Sequence, residues 1–152
     1  MIPAAVALGS NLGDRERYLR DAAGALGEIF ESLRLSTFHE TDAVGVGDQP
    51  RFLNAAATGY STLSARDLLT TLLQIEKRLG RERPFQGAPR TIDLDLILYG
   101  DSIIDEPGLR MPHPRFRERL FVLEPLAEIA AGWTDPVTGR TVGQLLESAS
   151  AP

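Results

Sequence analysis

The chain of 152 residues contains no cysteine. Disulfides and thiolate metal sites are therefore excluded, and a cytoplasmic protein is the expectation. There is no apolar run approaching the roughly 18 residues of a membrane span, so no membrane association is expected. The first residues, Met1-Ile2-Pro3-Ala4-Ala5-Val6-Ala7-Leu8, carry no basic region and run straight into glycine and polar side chains, which does not read as a signal peptide. Lysine is reduced to Lys77 alone, and histidine to two residues. The net charge of −5 argues against a general nucleic-acid binder. No repeat, linker or low-complexity tract interrupts the sequence, so one domain over residues 1–152 is expected.

What positive charge exists is arginine, and it is clustered. Lys77, Arg78, Arg81, Arg83 and Arg90 precede one acidic stretch, and Arg110, Arg115, Arg117 and Arg119 follow it. Arginine suits bidentate contact with phosphate. The stretch between them, Arg90-Thr91-Ile92-Asp93-Leu94-Asp95-Leu96-Ile97-Leu98-Tyr99-Gly100, reads as a buried strand from Ile92 to Leu98. Alternation puts Ile92, Leu94, Leu96 and Leu98 on one face and Asp93, Asp95 and Ile97 on the other. Two carboxylates at i and i+2 stand roughly 6–7 Å apart at a rise of about 3.3 Å per residue. They either lie on a solvated sheet face or, if buried, need a counter-charge. A hard cation such as Mg²⁺, bound by one or two carboxylates and substrate phosphates, would supply it.

The remaining elements follow in order. Residues 3–8 read as a strand ending at Gly9-Ser10-Asn11-Leu12-Gly13, and Asp14 caps a helix of about 20 residues with Leu19, Ala22, Ala23, Leu26, Ile29, Phe30 and Leu33 as its apolar stripe. This strand, turn and helix lack both the Lys-Ser/Thr ending of a P-loop and a G-x-G-x-x-G. Leu35 to Glu40 is expected as a second strand, Thr41 to Pro50 as a loop, and Phe52 to Thr62 as a third strand with Phe52, Asn54, Ala56, Thr58 and Tyr60 on one face. Asn54 needs hydrogen-bonding partners in the protein or in a ligand, and Phe52 beside it is either core or a stacking surface. Ser64 caps a second helix, with Asp67 at its third position and Leu68, Leu69, Leu72, Leu73, Ile75 and Leu79 apolar. Residues 81–89 read as an exposed loop. After the Asp strand come a short hairpin or turn over 101–109, a rigid Pro112-His113-Pro114, helix from Arg115 to Ala131 in two pieces broken at Pro125, and a last helix from Val142 to about Ser148. Strand, helix, strand, strand, helix, strand is the order of the α+β ferredoxin-like fold, an antiparallel sheet covered by helices on one face, here with a helical C-terminal extension.

Taken together, Ala7-Leu8-Gly9-Ser10-Asn11-Leu12-Gly13-Asp14, Asp48-Gln49-Pro50, Phe52-Leu53-Asn54-Ala55, Ile75-Glu76, Gly80-Arg81, Pro89-Arg90-Thr91-Ile92-Asp93-Leu94-Asp95, Pro112-His113-Pro114 and Arg119 make the chain resemble the 6-hydroxymethyl-7,8-dihydropterin pyrophosphokinase family of folate biosynthesis. The resemblance spans nearly the whole chain. It implies transfer of diphosphate from ATP to the hydroxymethyl group of the reduced pterin with release of AMP, and small-molecule partners, ATP and the pterin. A monomer is expected. It implies that Asp93 and Asp95 hold two Mg²⁺ ions and, with Arg81 and Arg90, form the catalytic group. ATP would be bound by Gln74, Glu76, Arg81, Arg83, Arg90, Leu96, Arg110, His113 and Arg119. The pterin would be bound by Thr41, Asp42, Val44, Phe52, Asn54, Asp93 and Phe121, with its ring between Phe52 and Phe121. The chain departs from the family in having Pro84 and Gly87 in a shorter loop where tryptophan and a basic residue are common. It also has Gly108 where arginine is common, and Phe52 where tyrosine is. Two other classes fit parts of the pattern, a ferredoxin-like nucleic-acid-binding module and a D-x-D sugar-nucleotide transferase.

Overall fold

A computed structural model describes residues 1–41, 51–80 and 91–151. Its centre is an antiparallel sheet of strands β1 (Ile2–Ser10), β2 (Glu31–Leu35), β3 (His39–Thr41), β4 (Phe52–Ser61) and β5 (Asp93–Tyr99). The order across it is β2-β4-β1-β5, with β3 also paired to β4. β1 and β4 are lined with alanine and glycine, so helices lie close on both faces.

One face is covered by helices α1 (Arg15–Ile29) and α2 (Ala65–Arg78). Ala4, Val6 and Leu8 of β1, Ala55 and Ala57 of β4, and Leu94 and Leu96 of β5 pack there against Leu19, Ala22, Leu26, Leu68, Leu72 and Ile75. The other face is also covered, contrary to the expectation of helices on one face only. Helices α3 (Leu120–Ala130) and α4 (Val142–Ser150) bury Phe116, Val122, Leu123, Leu126 and Leu145 against Ala5, Ala56, Ile97 and Leu98. Both faces therefore contribute hydrophobic burial, at about 25 cal/mol per Å² of apolar surface.

Several expected boundaries move, each for a local reason. The first helix stops at Ile29, and Phe30 turns to extended backbone while its ring packs on Gly59. A side chain at Gly59 would come within 2.6 Å of Phe30, so only glycine admits the ring. The expected strand 35–40 is split into β2 and β3. At the break, the Ala56 amide donates to Ser36 Oγ instead of to a strand carbonyl. Leu73 is exposed on α2, and Glu76 takes its place in the buried stripe. On β5, Ala5 pairs with Leu98 and Val6 with Leu96, so Ile97 is an extra residue in the ladder. This bulge turns Leu98 to the same side as Ile97 and undoes the simple alternation beyond Leu96.

Beyond β5, the expected hairpin is formed by β6 (Ile104–Glu106) and β7 (Leu109–Met111). Gly108 sits at its turn with φ +75°, a left-handed conformation that glycine adopts without strain. The helical break after it falls at Arg119, between a short 3-10 turn (Phe116–Glu118) and α3, and not at Pro125. Arg119 is extended there, whereas Pro125 lies buried inside α3. The last helix runs to Ser150 and begins with a reciprocal capping box between Thr141 and Gln144.

Candidate active site

The register of the sheet sets the site. β1 lies between β4 and β5, and Gly9 pairs with Asn54 on one side and Asp93 on the other. Ala7 likewise lies between Ala56 and Asp95, while His39 pairs with Asn54 and Thr41 with Phe52. Directly paired residues share a face, so Thr41, Phe52, Asn54, Asp93 and Asp95 all stand on the α3 side of the sheet. With strands about 4.8 Å apart, Asn54 and Asp93 are roughly 10 Å from each other. Among the described residues, the backbone of Gly9 lies between them. A Cβ there would come 3.1 Å from Asn54 Oδ1 and 3.6 Å from the Phe52 ring.

From sequence, Gly9 reads as the start of a turn, but it is a strand residue forming the floor of a cleft. Its neighbour Ala7 keeps the next row low as well. Asn54 is buried at 4% exposure, and its Nδ2 donates to Thr41 Oγ1 at 2.7 Å. That bond orients the amide. Phe52 and Phe121 are both half-buried, and Phe121 packs against the cluster that includes Ala56.

The basic side of the cleft is built after β7. The His113 amide donates to the Ile97 carbonyl at 2.9 Å, which ties the Pro112-His113-Pro114 segment to β5. Burial pushes the His113 pKa below its ordinary value, Arg119 and Arg115 push the same way, and Asp93 opposes them. The structure thus favours the neutral imidazole of His113 over the imidazolium. Its Nδ1 accepts from the Arg115 amide at 3.3 Å, which leaves the ring proton on Nε2. Arg119 holds its guanidinium 5.6 Å from the centre of the Phe121 ring.

The second basic cluster does not act as one. Arg117 forms a two-bond pair with the buried Asp135, at 2.5 and 2.9 Å, and so anchors the turn before α4. Arg110 pairs with Asp105 across the β6–β7 hairpin in an exposed position. Glu76 is 3% exposed, and its Oε2 accepts from the Leu94 amide at 2.6 Å, directly between the two aspartates. Gln74 is exposed on α2. The Leu96 side chain is buried on the opposite face, among α1 and α2, so only its backbone is left to meet a nucleotide. Asp42, Val44, Arg81, Arg83 and Arg90 lie outside the described residues.

Asp93 and Asp95 are half-buried. Among the described residues, no three His, Asp or Glu side chains gather around a metal position. The two aspartates offer oxygen donors only, which fits a hard cation whose remaining ligands are water and phosphate.

This geometry has counterparts. Residues 5–131 match the family 7,8-dihydro-6-hydroxymethylpterin-pyrophosphokinase (HPPK). The 2-amino-4-hydroxy-6-hydroxymethyldihydropteridine pyrophosphokinase of Bacillus subtilis is 48% identical over 128 residues, covering 83% of this chain and 77% of the relative. The enzyme of the same name from Synechocystis is 43% identical over 149 residues, covering 95% of this chain and 74% of the relative. The crystal structure of Plasmodium falciparum HPPK-DHPS with pteroate superposes with a TM-score of 0.75 at 13% identity, a likeness of fold. It covers 97% of this chain, which spans 42% of that longer one. These matches give no support to a nucleic-acid-binding module. The chain belongs to the 7,8-dihydro-6-hydroxymethylpterin-pyrophosphokinase family.

Proposed function

We propose that this chain transfers diphosphate from ATP to the hydroxymethyl group of 6-hydroxymethyl-7,8-dihydropterin and releases AMP, a step of folate biosynthesis. Beyond family membership, one observation carries the reading. The row Asn54–Gly9–Asp93 puts an oriented amide and a carboxylate on one face, about 10 Å apart, with an open floor between them. A flat heterocycle with an amide edge and a pendant hydroxymethyl group fits that row. Asn54, oriented by Thr41, reads the amide edge, Phe52 and Phe121 face the ring, and Asp93 stands at the hydroxymethyl end.

The pterin hydroxyl attacks the β-phosphorus of ATP and gives up its proton to solvent, the bond from that phosphorus to the α–β bridging oxygen breaks, and AMP departs with the electron pair. Such a reaction depends on in-line positioning and charge neutralisation more than on covalent help. Asp93 and Asp95 would hold two Mg²⁺ ions, which supply positive charge to the phosphate oxygens. Arg119 and the Nε2–H of His113 would contact phosphate, and the family resemblance assigns the same role to Arg81, Arg83, Arg90 and Arg110. Gln74 and Glu76 belong to the nucleotide side.

The architecture is read as ferredoxin-like, supported by the antiparallel order β2-β4-β1-β5, with α3 and α4 as a helical C-terminal extension. One pyrophosphokinase domain over residues 1–152, a monomer and a cytoplasmic location complete the proposal. Incubation with ATP, Mg²⁺ and the pterin, resolving AMP from ADP, tests the function. Pterin-dependent AMP is expected. ADP would mean single phosphoryl transfer and would overturn it.

A further inference from the structure

The structure holds a polar cluster that the reaction does not use. Glu128 of α3 reaches to the segment joining β2 and β3 and accepts four contacts from two residues. The Thr37 amide donates to its Oε1 at 2.8 Å, and Thr37 Oγ1 lies 2.9 and 2.8 Å from its two oxygens. His39 Nε2 lies 2.7 Å from its Oε2. Burial pushes the Glu128 carboxyl up, but the bonds from Thr37 and His39 outweigh that and leave it below the usual carboxylate range. A second tie runs beside the first, from the Arg34 guanidinium to the Ile129 carbonyl at 3.0 Å.

What these ties join is the point. His39 is the register partner of Asn54, and Thr41, two residues further along the same strand face, accepts the Asn54 amide proton. β3 is only three residues long, and among the described residues it pairs with β4. On the other side, Phe121 lies seven residues before Glu128, two helical turns away and so on the same stripe of α3. The Glu128 carboxylate therefore spans the gap between the helix that carries Phe121 and the strand pair that carries Asn54 and Thr41.

We propose that Glu128 is a positioning residue for the pterin. By clamping Thr37 and His39 to α3, it sets the separation of Phe121 from Asn54 and Thr41, and hence the width of the slot for the ring. This rests on the pyrophosphokinase reading above. The clamp meets β3, whereas His113 is tied to β5 on the far side of β1, so its loss is expected to weigh on the pterin more than on the nucleotide.

The test measures pterin affinity, ATP affinity and AMP turnover for the wild type, Glu128→Ala, Glu128→Gln and Thr37→Val. Gln keeps an acceptor for the Thr37 amide and can donate to His39, so it rebuilds most of the clamp. Glu128→Ala is expected to raise the KM and Kd for the pterin about tenfold, the scale of one charge-assisted hydrogen bond, with ATP affinity within about twofold of wild type. Glu128→Gln should return to within about threefold of wild type, and Thr37→Val should fall between. Thr37→Val preserves shape and backbone, and gives the answer if Glu128→Ala does not fold. Unchanged pterin affinity in Glu128→Ala and Thr37→Val, or an equal loss of ATP and pterin binding, would overturn the clamp while wild-type AMP production stands. A wild type that makes no pterin-dependent AMP would overturn the functional reading itself, and the clamp with it.

Discussion

Removing the Glu76 carboxylate should loosen the strand that carries both aspartates. β5 is an edge strand of the main sheet, and its Leu94 amide, in a residue 3% exposed, donates to Glu76 Oε2 at 2.6 Å. In Glu76→Ala that amide loses this acceptor in a place water does not reach. A hydrogen bond to a charged group contributes about 1.5–3 kcal/mol, and the vacated methylene adds to the loss, so about 3 kcal/mol is expected. For a chain of this length, each kcal/mol moves the midpoint by roughly 2–4 °C, which puts the fall in Tm at about 6–12 °C. Glu76→Gln retains an acceptor oxygen and should cost about 1 kcal/mol. Because Asp93 and Asp95 flank Leu94, turnover of Glu76→Ala measured well below its Tm should also fall, by about tenfold. Calorimetry and an AMP assay on the same samples decide the matter. A Glu76→Ala midpoint within about 2 °C of wild type would refute the reasoning. So would Glu76→Gln proving as damaging as Ala, because the charge and not the bond would then be what matters.

Asp95→Ala should abolish AMP formation with little change in Tm, because on the proposed function this carboxylate would hold a metal whose charge neutralisation is worth several kcal/mol; near wild-type turnover would refute that role. Gly9→Val should fill the floor between Asn54 and Asp93, where even a Cβ meets Asn54 Oδ1 at 3.1 Å. Valine suits a strand, so the fold is expected to persist while pterin affinity measured by calorimetry falls about a hundredfold or more. The carboxyl of Asp135 is pushed up by burial, but the bonds from Arg117, Thr138 and the Val137 amide outweigh this and hold it below the usual range. Its folded value is depressed, so the stability it contributes is present above the ordinary carboxylate value near 4 and is lost as pH falls through the lower folded value. Melting curves should show Asp135→Asn less stable than wild type at pH 7, with the two converging on acidification below about pH 4; a constant gap across that range would exclude the linkage.

Local chemistry made much of this molecule legible before any tertiary contact. The Asp14 and Ser64 caps, the 3.6-residue stripe of α1 and the two-residue alternation of β4 are properties of neighbouring side chains. They place Phe52 and Asn54 on one face and Leu53 and Ala55 on the other, as the structure has them. The failures arise where a distant partner decides. Phe30 leaves the helix because Gly59, on a strand 29 residues away, offers it room. Leu98 changes faces because β1 and β5 pair with an extra residue at Ile97, which period-two alternation cannot express. Glu76 looks like a solvated helix charge until the Leu94 amide is found against it.

The division is the same at the site. Asp93 and Asp95 announce themselves, since two carboxylates at i and i+2 of an apolar strand share a face and, where buried, need a counter-charge. The basic residues around them do not sort themselves: Arg117 is taken by buried Asp135, whereas Arg119 faces the cleft beside Phe121. Gly9 reads locally as a turn and Glu128 as a solvated helix charge, so neither signals its place at the cleft. The sequence by itself determined the element types, the paired carboxylates and the Asn54 face, because these depend on spacing along the chain. Only the tertiary structure decided that Gly9 separates Asn54 from Asp93, that burial lowers the His113 pKa and that α3 is clamped to β3. Strand register, burial and hydrogen-bond partners far apart in sequence exist only once the chain has folded.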